Sequence, residues 1–193
     1  STSQASWTVA QAGLPLFTSV DPLGAAQPVT ASVEVMRHPL GGFMVLFGTG
    51  IYVQPTDPAP PYQRQSFYGI WDKNDGTTVA SRAALQQQTV EGEVASGGST
   101  YRVTTNHAVD WNSKRGWYLD FPTAGGVETG ERVVYAPQLR FGRVVFPTLI
   151  PSTSPCDKGG TSWLMEMDAA SGSRLSASPF DVNGDGMFSD SDL

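Results

Sequence analysis

The feature that most constrains the fold is a series of short strand-like runs, each closed by a turn. The runs are rich in Val, Phe, Tyr and Trp and are bounded by Gly, Pro, Asn or Asp, which is typical of all-β proteins. They span residues 29–36, 42–53, 66–71, 89–94, 100–105, 116–121, 132–136, 143–150 and 162–168. A helical pattern is confined to residues 81–88, with Ser81 as the candidate N-cap. With 21 glycines, 14 prolines and 16% charged residues, the chain is predicted to be all-β.

A weak internal repeat indicates how the predicted strands are arranged. In the first copy, runs at 33–36, 43–47 and 67–71 lead to Asp72 and Gly76. In the second copy, runs at 132–135, 142–146 and 162–167 lead to Asp168 and Gly172. Each copy therefore ends in Asp-x-x-x-Gly, a turn that closes strand pairs in propeller blades. The repeat predicts antiparallel, blade-like sheets.

Two blades cannot close a ring, since propellers typically have about four to eight. The repeat therefore predicts a fragment of a larger β-propeller, with a compact sandwich of the same hairpins as the alternative. The predicted organisation is an irregular segment at 1–28, blades at 29–180 with an insertion at about 86–126, and a calcium loop at 181–193. The absence of an initiator Met suggests a piece of a longer precursor.

A twelve-position pattern at 181–192 predicts a calcium site. Oxygen-bearing side chains stand at positions 1, 3 and 5, and a glycine stands at position 6, where the chain turns sharply. Position 7 offers a backbone carbonyl, position 9 a hydroxyl, and position 12 a carboxylate. The predicted ligands of Ca²⁺ are Asp181, Asn183, Asp185, Met187, Ser189 and Asp192. The simpler interpretation is a polar turn without metal, because tight turns favour the same residue types.

The end of this pattern departs from a complete EF-hand. Asp192 replaces the usual glutamate, so its carboxylate is one methylene shorter. The chain stops one residue after the loop, so the helix that normally leaves an EF-hand is missing. We interpret the pattern as a truncated EF-hand or as a calcium turn between strands.

Charge and hydropathy exclude other classes. The formal net charge is −6, which disfavours nucleic acid as a partner. No apolar run approaches the roughly 18 residues of a membrane helix, so no membrane span is predicted. Cys156 is the one cysteine, so no disulfide forms within the chain; it is either a free thiol or paired outside these residues.

Ordered motifs resemble a known family. They begin with Phe47-Gly48-Thr49-Gly50-Ile51-Tyr52, Gln65-Ser66-Phe67-Tyr68-Gly69-Ile70-Trp71-Asp72 and Gly116-Trp117-Tyr118-Leu119-Asp120-Phe121. They continue with Gly130-Glu131-Arg132-Val133, Pro155-Cys156, Trp163-Leu164-Met165-Glu166 and Phe180-Asp181-Val182-Asn183-Gly184-Asp185-Gly186. Together they resemble the C-terminal β-propeller of the PilC/PilY type IV pilus tip-associated adhesins.

The resemblance implies a surface-exposed protein that is exported through the periplasm and associates with pili. It implies roles in pilus biogenesis, twitching motility and attachment to host or abiotic surfaces, all regulated by calcium. The implied partners are pilus subunits or minor pilins and the remaining parts of a parent protein. A regulatory calcium loop of this family is typically shorter, so the loop at 181–192 is a candidate second site.

Enzymatic and carbohydrate-binding functions are the alternatives. Blade ends such as residues 164–172 resemble those of quinoprotein dehydrogenases, and scattered acids are compatible with glycan hydrolysis. No Gly-x-Ser-x-Gly motif is present, and the calcium loop is local in sequence, so we predict a non-enzymatic module. Aromatic residues Trp71, Trp111, Trp117, Tyr118 and Trp163 form either a ligand-binding face or the packing between blades, and packing is favoured. Trp111 is the best candidate for an exposed ring.

Overall fold

The computed structural model describes residues 9–123, 125–154, 160–188 and 192. Within these residues the chain forms ten strands and the 3₁₀ segments Ala10–Gly13 and Arg82–Ala84. The strands are β1 (Glu34–Arg37), β2 (Phe43–Gly48), β3 (Ser66–Asp72), β4 (Gln86–Gln88), β5 (Val90–Ser96), β6 (Ser99–Thr104), β7 (Gly116–Asp120), β8 (Gln138–Arg140), β9 (Arg143–Pro147) and β10 (Leu164–Asp168). The predicted all-β class is confirmed.

The strands form two blade-like sheets and a separate hairpin. The first sheet has the order β1-β2-β3-β7-β4, the second has the order β10-β9-β8, and β5 pairs with β6. Every pairing is antiparallel except that of β4 with β7. Strands β4 to β7 come from the region predicted as an insertion. Two of them extend the first sheet, and the other two form the hairpin.

Both repeat copies end as the Asp-x-x-x-Gly pattern predicts. Strand β3 ends at Asp72 and strand β10 ends at Asp168. The Asp168 carboxylate accepts hydrogen bonds from the N–H groups of Ala170 and Ser171, and Asp72 accepts one from Asn74. A short carboxylate satisfies the backbone groups that a strand leaves unpaired when it turns. This explains why an aspartate closes each copy.

The main core lies between the two blade-like sheets. Alternate residues of β2, β3 and β7 point to the second sheet, among them Met44, Phe67 and Trp117, which are completely buried. Phe67 stacks on Phe146 of β9 with ring centroids 3.9 Å apart. On its opposite face the first sheet packs Phe47, Tyr68 and Ile70 under residues 16–17, 79 and 85. The first sheet is therefore covered on both faces in its middle.

The helix predicted at 81–88 is wrong. Arg82–Ala84 forms one 3₁₀ turn, Ser81 makes no side-chain capping bond, and Gln86–Gln88 is strand β4. Tertiary pairing explains the difference, because β4 joins β7 in parallel and Gln88 is buried. The Gln88 amide donates to the carbonyls of His107 and Ser171. The pairing of β4 with β7 and these hydrogen bonds outweigh the local preference of the segment for a helix.

The strand predicted at 132–136 is also wrong. Arg132 makes one isolated bridge with Leu149, and the first strand of the second sheet is β8, which starts at Gln138. Pro137 lacks an N–H and restricts the residue before it, so the chain cannot continue a ladder there. The Arg132 guanidinium donates a hydrogen bond to the carbonyl of Ile51, and this bond holds the segment against the first sheet.

The aromatic residues considered as a ligand-binding face pack inside the protein. Trp117 is completely buried, Trp71 is nearly so, and the Arg82 guanidinium covers Tyr118 at 4.1 Å from the ring centroid. Trp111 is half-buried and meets Trp71 edge-on, with centroids 5.4 Å apart. The prediction of Trp111 as an exposed ring is wrong, because Trp71 and His38 cover it.

His38 is enclosed by two tryptophans. Its ring stacks on Trp71 at 4.3 Å and meets Trp111 edge-on at 4.4 Å. Nδ1 accepts a hydrogen bond of 3.1 Å from the Leu40 N–H, which requires that nitrogen to be unprotonated. Nε2 is buried without a hydrogen-bond partner in the described part of the chain. Burial lowers the pKa of His38, so the site favours the neutral ring.

We expect the free energy of unfolding to decrease as the pH falls below about 6.5, the ordinary pKa of histidine. A group whose pKa is lowered by folding binds its proton more readily in the unfolded chain, so acid favours unfolding. Urea unfolding at about pH 7.5 and about pH 5.5 measures this for the unmodified chain and for His38→Phe, which keeps an aromatic ring. The stability advantage of the unmodified chain should shrink at the lower pH. A difference that is the same at both pH values contradicts the prediction.

Candidate metal-binding loop

The first half of the predicted loop is organised by Asp181. Its Oδ1 accepts hydrogen bonds from the N–H groups of Gly184 at 2.7 Å and Asp185 at 3.1 Å, and its Oδ2 accepts one from Gly186 at 2.9 Å. Gly186, at position 6, has a φ of 82°. This is the left-handed conformation that favours glycine, so the sharp turn falls where the pattern predicts it.

The side chains at positions 3 and 5 bind the same turn. Asn183 Oδ1 accepts from the Asp185 N–H at 2.9 Å, and Asp185 Oδ1 accepts from the Met187 N–H at 2.8 Å. The Asn183 amide also donates to Asp185 Oδ2 at 3.1 Å. Alternate residues of the loop therefore carry oxygens on one compact turn.

Asp192 closes the loop from position 12. Its Oδ1 accepts from the N–H groups of Val182 at 2.9 Å and Asn183 at 3.1 Å, and the residue is only 5% exposed. The twelfth position thus folds back onto the second and third. Ser189, the predicted ligand at position 9, lies outside the described residues.

Calcium fits the chemistry of these donors, because it prefers carboxylate, amide and carbonyl oxygens. Within the described residues no three His, Cys, Asp or Glu side chains are grouped closely enough to hold a metal ion. Backbone N–H groups hold the carboxylates of Asp181 and Asp192 in the arrangement found. In this arrangement the loop is closed by hydrogen bonds between these carboxylates and its own backbone.

The β5–β6 hairpin packs against the start of the loop. The sequence patterns did not predict this contact. Ser96 Oγ donates to the Val182 carbonyl, and the Tyr101 hydroxyl donates to the Asp181 carbonyl at 3.4 Å. The Tyr101 ring contacts that of Phe180, with centroids 5.9 Å apart. A serine and a tyrosine in an exposed hairpin carry no distinctive spacing, so only the structure identifies them.

Arg102 fixes this hairpin to the rest of the protein. Its guanidinium makes two bonds to the Glu131 carboxylate, at 2.7 and 3.0 Å, and one to Glu93 at 3.1 Å. It also lies 4.3 Å from the centroid of the Trp163 ring. Burial raises the pKa of Glu131, and the Arg102 cation opposes that rise. The hairpin is therefore anchored by a buried, two-pronged ion pair.

An apolar groove lies on the face of the first sheet that is turned away from the second sheet. It has a volume of about 220 Å³ and is lined by Leu16, Phe17, Val29, Val33, Val45, Phe47 and Ile70. These side chains carry no acid, base or nucleophile. The groove has the chemistry of a packing surface.

Two blade-like sheets that end in matching Asp-x-x-x-Gly turns are typical of β-propeller proteins. A family model described as the PilY1 beta-propeller domain matches residues 2–105. The chain belongs to the PilY1 β-propeller family. The predicted resemblance to this family and the propeller architecture are confirmed.

Curated relatives and a solved structure agree with this assignment. The chain is 37% identical over 160 residues to a type IV pilus biogenesis factor PilY1 homolog of Xylella fastidiosa, covering 82% of this chain and 11% of the relative. It is 35% identical over 196 residues to the type IV pilus biogenesis factor PilY1 of Pseudomonas aeruginosa, a match that covers 92% of this chain and 17% of that protein. The crystal structure of the Pseudomonas aeruginosa PilY1 C-terminal domain superposes with a TM-score of 0.79 at 33% identity, covering 91% of this chain and 38% of that one.

The chain thus spans a small part of its relatives. It covers 11% of the first of them and 17% of the second, and 38% of the solved domain. In the described part of the chain, no helix has both the length and the apolar character needed to cross a membrane.

Proposed function

We propose that this chain is a non-enzymatic, calcium-binding part of a type IV pilus biogenesis factor. The observation that carries the calcium proposal is the closure of the loop by Asp192, which holds Val182 and Asn183 while Asp181 holds the next three N–H groups. Side-chain oxygens from both ends of the pattern thus accept hydrogen bonds from the backbone of the same loop. Calcium is the ion that this set of hard oxygen donors favours.

The charges of the loop also favour a cation. Asp181, Asp185 and Asp192 supply three carboxylates within one twelve-residue loop, and a divalent ion would offset the mutual repulsion of bringing them together. Asn183, the Met187 carbonyl and Ser189 supply the other oxygens. Since Asp192 stands where the pattern usually has a glutamate, we expect an affinity on the order of 10⁻⁴ M, in the range of extracellular modules.

The pilus role follows from the relatives, whose names describe type IV pilus biogenesis factors. We place this chain at the cell surface, associated with pili after export through the periplasm. Its partners are pilus subunits or minor pilins and the remaining parts of a parent protein, and it supports twitching motility and attachment to host or abiotic surfaces. The apolar lining of the groove supports a structural and not a catalytic role.

Calcium titration tests this proposal directly. We expect isothermal calorimetry to detect one calcium ion per chain, and we expect Asp185→Ala to weaken binding by about tenfold or more, because it removes a charged ligand at position 5. In cells that express the chain with Asp185→Ala, twitching should lose its response to added calcium.

A matched control is Asp75→Ala. Asp75 lies in the corresponding Asp-x-x-x-Gly turn of the first sheet, where its carboxylate bonds to Thr77, outside the metal loop. Calcium binding by this variant should equal that of the unmodified chain. If the unmodified chain takes up no calcium, or if Asp185→Ala binds it equally well, the loop is a polar turn and not a metal site.

A further inference from the structure

Arg82, Arg102 and Arg132 are all largely buried, but they differ in how their charge is balanced. Arg82 forms an ion pair with Asp120, and Arg102 forms one with Glu131. Arg132 is 7% exposed, yet it makes no ion pair with any carboxylate in the described part of the chain. Burying a cation is costly, so Arg132 carries a desolvation penalty that none of these carboxylates offsets by direct pairing.

The guanidinium of Arg132 keeps N–H groups free for a ligand. Its Nε donates to the Gly130 carbonyl at 2.8 Å, and its Nη1 donates to the Ile51 carbonyl at 2.7 Å. A guanidinium also carries N–H donors on Nη2, and these have no partner among the described residues. The enclosed side-chain nitrogen and oxygen atoms that lack a partner in those residues belong to His38, Gln65, Arg102 and Thr129. Nη2 of Arg132 is not one of them, so it lies at the surface, where a ligand can contact it.

Asp57 is an acid whose charge acts on Arg132, but its carboxylate is already engaged. Its Oδ2 accepts hydrogen bonds from the N–H groups of Val53 at 2.7 Å and Gln54 at 2.8 Å. Burial lowers the pKa of Arg132, and the attraction of the more distant Asp57 opposes this effect only in part. An arginine stays charged at neutral pH all the same, so the cation lacks a full counter-charge.

Two tyrosines lie beside this guanidinium. Tyr52 is 39% exposed, and the centroid of its ring lies 6.0 Å from Cζ of Arg132. Tyr62 packs on Gly130, where a Cβ would lie 2.7 Å from its ring, and its hydroxyl donates to the Pro58 carbonyl at 3.0 Å. These contacts fix Tyr62, so the surface around the guanidinium is formed before any ligand binds.

We propose that Arg132, Tyr52 and Tyr62 form a binding site for a carboxylate on an acidic segment of a partner protein. The free N–H groups of Arg132 donate to this carboxylate, and such charge-assisted hydrogen bonds are stronger than neutral ones. Tyrosine and arginine are also enriched among the residues that contribute most to protein–protein binding. The bound carboxylate gives Arg132 the counter-charge that Asp120 gives to Arg82 within the fold.

A nuclear magnetic resonance titration of the 193-residue chain, carried out without calcium, tests the inference. The probe is a capped peptide of glutamate and glycine, and its control is the same peptide with glutamine in place of glutamate. The glutamate peptide should shift the amide signals of residues 51–53 and 130–132, with a Kd on the order of 10⁻³ M. The glutamine peptide should leave them unchanged, and about 0.5 M sodium chloride should weaken the binding of the glutamate peptide.

Two variants locate the binding at this site. Arg132→Lys keeps the charge but loses the planar fork of N–H donors, so the glutamate peptide should bind about tenfold more weakly. Tyr52→Ala removes an exposed ring that shields the ion pair from water, and it should weaken binding about threefold. The matched control is Arg140→Lys, which changes an exposed arginine that bonds to the Leu139 carbonyl. This control should bind the peptide like the unmodified chain.

The inference is overturned if the unmodified chain binds neither peptide, if it binds both equally, or if Arg132→Lys keeps full affinity. An equal loss in Arg140→Lys also contradicts it, because the peptide then follows the general charge of the surface. Should Arg132→Lys fail to fold, full affinity in Tyr52→Ala overturns the inference instead. Free glucuronate that shifts the same signals as strongly as the peptide assigns the site to small acids and contradicts a protein partner.

Discussion

Replacing Gly172 with alanine is expected to lower the free energy of unfolding by about 2–5 kcal/mol, through overpacking added to backbone strain. Gly172 has a φ of 67°, and a Cβ at this position would lie 2.1 Å from Cε3 and 2.2 Å from Cδ2 of Trp117. The Trp117 ring cannot withdraw easily, because it is completely buried and its Nε1 donates to the Ala169 carbonyl. Since domains are stable by only about 5–15 kcal/mol, the loss is a large fraction of the total.

The first repeat copy provides the control for this prediction. Gly76 ends the corresponding turn with a φ of 78°, but a Cβ there meets no atom within 4 Å. Gly76→Ala carries the backbone strain alone, and we expect it to cost about 1–2 kcal/mol. Urea unfolding of both variants measures the difference. Equal losses would mean that the turn and not the contact with Trp117 sets the cost.

These two glycines also show how far sequence alone predicts the fold. The Asp-x-x-x-Gly pattern located the ends of β3 and β10, because an aspartate that caps a turn and a glycine with positive φ are local requirements. Nothing in the pattern distinguishes Gly76 from Gly172. Only the packing of the two sheets brings Trp117 against the second turn.

The incorrect helix and strand predictions have the same origin. Residues 81–88 have a helical composition, and their strand pairing depends on β7, which lies about thirty residues farther along the chain. The segment at 132–136 has the composition of a strand, yet Arg132 turns to the carbonyl of Ile51, which is remote in sequence. Local composition predicts local conformation, and long-range pairing decides between alternatives.

For the loop at residues 181–192, the sequence likewise predicts the local features and misses the long-range contacts. Turn geometry at Gly186 and the return of Asp192 follow from positions within one twelve-residue pattern. The contacts of Ser96 and Tyr101 join residues about eighty positions apart, and the sequence contains no spacing that links them. Calcium binding itself stays a prediction until it is measured.

Replacing Arg82 with alanine is the second substitution with a large expected effect, about 3–5 kcal/mol of lost stability. Arg82 Nη2 bonds to both oxygens of Asp120, at 2.7 and 2.6 Å, and the two side chains are 12% and 6% exposed. Arg82 Nη1 also donates to the Tyr68 hydroxyl and to the Val20 carbonyl. The variant would leave the Asp120 carboxylate buried without its cation.

The protonation of this group depends on the same burial. Burial opposes the charge of Arg82, and its bonds to Asp120 outweigh that effect, so the pKa of Arg82 is raised. Burial raises the pKa of Tyr68 to about 12, so its hydroxyl keeps its proton and remains a donor at neutral pH. Arg82 and Tyr68 therefore each keep one charge state near neutrality. The stability lost in Arg82→Ala should be nearly the same at about pH 7 and about pH 8.

The second sheet supplies a matched ion pair that lies nearer the surface. Arg143 bonds to Glu166 at 2.9 Å, but its side chain is 42% exposed, so water screens the attraction. We expect Arg143→Ala to cost less than about 1 kcal/mol. Urea unfolding of Arg82→Ala, Arg143→Ala and the unmodified chain compares the two sites. A loss at Arg82 as small as the loss at Arg143 would show that water relaxes around Asp120, and that the ion pair does not hold the 3₁₀ turn against the first sheet.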